Sequence, residues 1–238
     1  MKKLSNFYRV GQVNEEELKK RLRQLKLVKL ADGRYDVIGN VNLYGLGLTS
    51  LTEIPIRIRK VTGNFICDHN QLQTLEGAPE YVGRSFDCGY NNLKDLEGAS
   101  KHVGRDFYCD YNCLSILKGA PRFVGGSFCC WRNQLVTLEG APRYVDGGFI
   151  CDHNQLETLE GAPERVGGGF NCSYNLLKTL EGAPRYVDGG FICDHNQLET
   201  LEGAPERVGE DFYCSGNPKE FTEEEVRKLI DVRGKVIV

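Results

Sequence analysis

Residues 65–85 read F-I-C-D-H-N-Q-L-Q-T-L-E-G-A-P-E-Y-V-G-R-S. Phe65 is followed by Phe at 86, 107, 128, 149, 170, 191 and 212, each 21 residues after the last. Cys comes two places later in every copy, from Cys67 to Cys214, and Asn three further on, from Asn70 to Asn217. Seven of these eight copies then place Leu two residues after the Asn, from Leu72 to Leu198. Self-similarity at one fixed period, with no insertion, is the mark of a stacked repeat architecture.

Each position has a physical reading. Phe and Cys alternate with one residue between them, so both side chains fall on one face of a short strand. Val82, Val103, Val124, Val145, Val166, Val187 and Val208 point into the same core, and pairs such as Leu72 with Leu75 and Leu156 with Leu159 close it after the chain turns. The Asn falls in the bend after the strand. Its amide can serve backbone groups of its own and neighbouring rungs that would otherwise be buried without partners. The L-x-G-A-P-x-x-V-G stretch is too short and too rich in Gly and Pro for an α-helix, so turns or 3-10 segments are expected opposite the strands. One unit cannot bury its own apolar face, so neighbours must stack. Parallel rungs about 4.8 Å apart would give nine of them a length of about 40 Å.

F-x-C-x-x-N-x-L corresponds to the L-x-L-x-x-N-x-L core of leucine-rich repeats, with Phe and Cys in the strand Leu positions. The whole unit resembles the short repeats in proteins of large tailed bacteriophages and giant viruses. This resemblance spans residues 41–217, and the flanking segments look similar too. It implies a leucine-rich-repeat-like solenoid whose exposed strand face binds other molecules, and it brings no shared activity. Ala141–Gly167 recurs letter for letter as Ala183–Gly209, a recent duplication of two units.

Three regions are expected. Residues 1–40 form an N-terminal cap: a helix opened by Asn14 with Leu18, Leu22 and Leu25 facing the first rung, then a hairpin turning at Asp32-Gly33. Residues 41–217 form the solenoid, with one divergent rung (Val41, Leu43, Leu48, Leu51) before eight regular ones. Residues 218–238 form a C-terminal cap, with Thr222 and Glu225 as a capping box and Val236-Ile237-Val238 as a final strand.

Charge and composition narrow the function. Residues 1–40 carry ten Lys or Arg against five Asp or Glu, whereas residues 65–238 carry seventeen against twenty-seven. An acidic repeat body repels phosphate, so nucleic acid is not the expected partner. No apolar run approaches the roughly 20 residues that cross a bilayer, and the opening Met1-Lys2-Lys3 leads into no apolar signal segment. Ten Cys without an export signal point to free thiols and a cytoplasmic setting.

No pattern suggests catalysis or a cofactor. The ladder Cys are inward-facing core residues, while Cys113 and Cys129 break the pattern and should lie at the surface. Asp152-His153 and Asp194-His195 are two rungs, about 10 Å, apart and cannot share one metal ion. The outward strand positions are the better site. They carry Tyr90, Tyr108, Asp110, Tyr111, Trp131, Arg132, Asp152, His153, Tyr174, Asp194, His195 and Tyr213, with the group around Tyr108, Tyr111, Trp131 and Arg132 at the centre. Trp, Tyr and Arg are the residue types enriched in interface hot spots. The expected partner is a protein, a host protein if the chain is phage-encoded; a glycan held by aromatics and Asp is the alternative.

Overall fold

The computed structural model describes residues 13–238; the opening read above for a signal segment lies outside them. Helix α1, Glu15–Arg23, starts at Asn14, whose side chain accepts from the Glu17 N–H at 3.1 Å. Its first turn is acidic and its last basic, matching the helix dipole. Leu18 is buried, and Leu22 and Leu25 pack against the core. Strand β1, Lys26–Lys29, then pairs antiparallel with β2, Tyr35–Ile38, across a turn that places Gly33 at φ +83°.

From Val41 onward every rung contributes one strand to a parallel ladder. Val41–Asn42 pairs with Phe65–Ile66, and the register continues Phe on Phe through Phe212–Tyr213 to Val236–Ile237, giving ten strands. The Gly-Pro stretch runs as turns, as its composition predicts. Its end adds something the sequence reading did not contain: the residue before each Val and the Val itself pair with their counterparts in a second parallel ladder, Tyr81–Val82 through Arg207–Val208. With β1, β2, Ile58–Val61 and Asp231–Val232 this second sheet has eleven strands. The two sheets are the walls of one solenoid.

Between them lies a single apolar column. Phe65 through Phe212 are all 0% exposed, and successive rings from Phe107 onward stack with centroids 5.3–5.6 Å apart. The eight ladder Cys are buried, and burial pushes their thiols up from the ordinary range. Several act as donors: the Cys88 thiol reaches the Tyr108 carbonyl at 3.2 Å and Cys193 that of Tyr213 at 3.2 Å. Small and apolar, Cys also satisfies a neighbouring rung.

The Asn ladder does what its position suggests. Asn91 accepts from the Leu72 N–H at 2.9 Å, and its amide donates to the carbonyls of Cys67, Cys88 and Gly89 at 3.0–3.1 Å. Each Asn thus fastens its own bend to that of the preceding rung. Gly119 shows why the turn needs glycine: it sits at φ +90°, and a Cβ there would lie 2.5 Å from the Glu97 nitrogen. At the far end Thr222 and Glu225 form the expected capping box of α2, Glu223–Leu229, and Val236–Ile237 completes the first ladder.

Candidate binding face

The bend after each Phe-x-Cys strand is made by one residue in the left-handed region. His69, Tyr90, Tyr111, Arg132, His153, Tyr174 and His195 all have φ between 49° and 54°. This conformation favours Gly or Asn and costs other residues on the order of 1 kcal/mol. Gly216 takes it in the last rung. Six of the other seven rungs place a ring there instead, and the seventh an arginine.

Those rings form a ladder along the edge of the first sheet. His69 stacks on Tyr90 at 4.3 Å between centroids and Tyr90 on Tyr111 at 4.2 Å. Tyr44 of the divergent rung extends the stack to His69 at 4.9 Å. Trp131 meets Tyr111 edge-on at 4.7 Å, while the Arg132 guanidinium lies 5.3 Å over Tyr111 and 5.7 Å from Trp131. The ladder resumes with His153 on Tyr174 at 4.5 Å and Tyr174 on His195 at 4.4 Å. Offset stacking contributes about 0.5–1.5 kcal/mol per pair, enough to offset the backbone strain. Tyr90 and Tyr174 stay 43% and 47% exposed.

The structure sorts the twelve residues singled out above into three tiers. Tyr90, Tyr111, Arg132, His153, Tyr174 and His195 belong to the edge ladder. Tyr108 and Tyr213 lie half-buried on the strand itself, and Trp131 and Asp194 are half-buried beside them. Asp110 and Asp152, expected to project outward, are only 9% exposed. The chain has begun its bend by that position, so these carboxylates form the floor beneath the rings. Asp152 receives the His153 ring nitrogen at 2.7 Å and the Asn171 amide at 3.3 Å. Burial raises the Asp110 carboxyl above its usual range, and the Tyr108 hydroxyl up to about 12.

Cys113 and Cys129, expected at the surface, are both half-buried; burial and neighbouring aspartates push the Cys129 thiol up to about 12. Among the described residues no group of three His, Cys, Asp or Glu is placed to hold a metal ion. No helix among them is long and apolar enough to cross a membrane.

The second ladder carries a face that the sequence reading missed. Tyr81, His102 and Phe123 stack at 4.6 and 4.7 Å, with the Lys60 ammonium 4.7 Å over Tyr81. Tyr144, Arg165, Tyr186 and Arg207 continue the row, beside a groove of about 510 Å³ walled by Tyr144, Arg165 and Tyr186. The signal was present: the residue before each Val is never aliphatic. Read as part of a turn, it had no face assigned to it. Its cations are largely spent on neighbours, Arg165 on Asp188 at 2.7 Å and Arg185 on Glu206 at 2.5 Å.

No family model and no curated protein matches the sequence. Solved structures do. YopM from Yersinia enterocolitica WA-314 superposes with a TM-score of 0.58 at 21% identity, over 84% of this chain and 46% of that one. A second, described as the leucine-rich effector protein YopM from Yersinia pestis, gives a TM-score of 0.38 at 17% identity, over 82% and 88% of the two chains. This chain therefore spans less than half the length of the first, and its fold is that of the YopM-type leucine-rich-repeat solenoids.

Proposed function

We propose that this chain is a non-catalytic scaffold that binds another protein along the edge ladder and the adjoining strand face. The observation that carries this reading is the row of exposed rings held at left-handed backbone positions, where glycine would fold with less strain. Large rigid aromatics offer contact area at little entropic cost. The centre, Tyr108, Tyr111, Trp131 and Arg132, combines the only Trp with a guanidinium packed on two rings.

The finer reading follows from the repeat's resemblance to those of tailed-phage and giant-virus proteins. It makes the partner a host protein, for example a defence factor, that binding modulates or inhibits. The ten free thiols suit a reducing cytoplasm.

The test is capture of a partner by the wild type and by the double variant Tyr111→Ala/Trp131→Ala, with folding checked by circular dichroism. A single protein held by the wild type and released by the variant supports the reading. Equal capture by both removes the central face from the site. Retention on glycan resin alone, which stacked aromatics above carboxylates would permit, replaces it with a glycan-binding module.

A further inference from the structure

The repeat allows each rung of the second ladder to be judged against the next at the same position. Its cations are spent on neighbours only from Arg143 onward. Immediately before the ring row, the later rungs alternate in sign and neutralise one another: Arg143 donates to Glu164 at 2.8 Å, and Arg185 pairs with Glu206. In the row itself Arg165 is held by Asp188 at 2.7 Å. The earlier rungs do otherwise. They place Glu80, Lys101 and Arg122 before the row, joined rung to rung by the Lys101 N–H on the Glu80 carbonyl and the Arg122 N–H on the Lys101 carbonyl. Arg34 takes Glu80, 2.6 Å away, which leaves Lys101 and Arg122 as like charges on adjacent rungs, both exposed.

A second like-charged pair stands three residues beyond the ring row. Arg84 and Arg105 are rung neighbours, joined by the Arg105 N–H on the Arg84 carbonyl at 3.1 Å, and both are exposed. The next four rungs have Gly126, Gly147, Gly168 and Gly189 there. Between the two pairs run Tyr81, His102 and Phe123, with Lys60 of the preceding rung over Tyr81. Among the described residues none of Lys60, Arg84, Lys101, Arg105 and Arg122 lies in an ion pair. Asp106, next to Arg105 in sequence, spends its oxygens on the Ser85 hydroxyl at 3.2 Å and the Ser127 N–H at 2.9 Å.

We infer that this basic end of the second sheet, around the Tyr81–His102–Phe123 stack, is a docking surface for an acidic segment of a protein. Charge sets the sign of the occupant. Five cations without carboxylates meet on a chain whose net charge is −3, and like charges on neighbouring strands destabilise a sheet until an anion lies between them. The rings choose among anions. Stacked along the rung direction at 4.6 and 4.7 Å and within 10° of parallel, they turn their edges outward, and the edge is the positive part of an aromatic ring. His102 has its faces covered by Tyr81 and Phe123, and Tyr81 by Lys60 and His102. Neither can take a stacked base, the contact that holds single-stranded nucleic acid. Carboxylates need only the cations and the ring edges. The surface is independent of the edge ladder, which lies on the first sheet.

The test uses the full chain at pH 7.5 and low salt, with a fluorescein-labelled peptide of eight alternating Asp and Glu as probe, read by fluorescence anisotropy. Saturable binding is expected. Lys101→Gln/Arg122→Gln and Arg84→Gln/Arg105→Gln should each weaken it at least tenfold. Lys94→Gln/Lys178→Gln, which removes the same charge from exposed positions outside this surface, should weaken it less than threefold. Both patch variants should unfold at a temperature equal to or above that of the wild type, because like-charged neighbours have been removed. Absence of binding by the wild type, or equal weakening by all three variants, overturns the assignment. So does tighter binding of an oligothymidylate of equal charge, which would make the surface one for nucleic acid. A lower unfolding temperature in both patch variants also overturns it, since the cations would then be serving the fold itself.

Discussion

Leu93 gives its backbone N–H to Asn112 Oδ1, 3.0 Å away in the next rung, and through that bond Asn112 ties two consecutive bends together. The same amide donates to the Cys88, Cys109 and Asp110 carbonyls at 3.0–3.2 Å. Asn112→Ala leaves the buried Leu93 N–H without a partner and takes one of two donors from each carbonyl, since Asn91 still serves Cys88, Asn133 still serves Cys109 and the Tyr90 N–H still serves Asp110, so a loss of about 2–3 kcal/mol is expected in urea unfolding. Asn217 makes the corresponding bonds near the chain's end, where it is half-buried and water can replace them. Asn217→Ala should cost about half as much. Equal losses at the two sites would mean that burial is not what gives the ladder its strength.

Tyr174 sits at φ 54° between the rings of His153 and His195. Two opposing terms of about 1 kcal/mol govern its replacement: backbone strain relieved and stacking lost. Tyr174→Gly should therefore change stability by less than about 1 kcal/mol, whereas Tyr174→Val loses the stacking and adds a β-branched residue at positive φ, costing about 2 kcal/mol or more. Thermal unfolding of the two variants reads the difference directly. A large loss in Tyr174→Gly would show the rings to be structural members rather than a surface kept for contact.

The repeat made the core legible residue by residue, because Phe, Cys, Leu and Val recur at invariant spacing and every one of them is buried. The Asn bonds were legible for the same reason. The second ladder was not. Its strands are two residues long, Tyr81–Val82 for example, too short to show alternation, and they lie beside Gly and Pro that read as turn. The floor of the binding face was also misjudged: counting outward from the strand places Asp110 in solvent, but the bend begins one residue earlier and folds it under Tyr111. Only the coordinates showed that Arg34 takes Glu80 from Lys101, since that depends on which side chains the neighbouring rungs present.

Asp87 gives the protein a pH-dependent liability. Its carboxyl is raised from 3.8 to about 6, mainly by burial and further by Asp68 and Asp110. A group whose folded pKa exceeds its unfolded value stabilises the fold below the unfolded pKa, and that contribution fades as pH rises through the folded value. The window is thus about pH 4–6. Asp87→Asn, which cannot ionise, should match the wild type near pH 4 and exceed it by about 2 kcal/mol above pH 7, allowing for partial exposure. Chemical denaturation across that range tests it; a constant difference between the two proteins would show that Asp87 titrates normally.

Cysteine reactivity should separate the ten thiols sharply. Eight are buried in the column and their ionisation is suppressed by burial, so they present neither access nor thiolate. Cys129 is half-buried on the strand face, with its thiol pushed up to about 12 by burial first and by Asp110 and Asp106 next. Cys113 is half-buried in the bend after Asn112, outside the apolar column. Iodoacetamide at pH 8 should therefore modify Cys113 first, Cys129 far more slowly, and the rest only after denaturation, as read by mass spectrometry of digests. Cys113→Ser should leave native protein almost unlabelled over the same interval. Early labelling of Cys109 or Cys130 would mean that the solenoid opens between rungs near its middle, and the single continuous column would have to be given up.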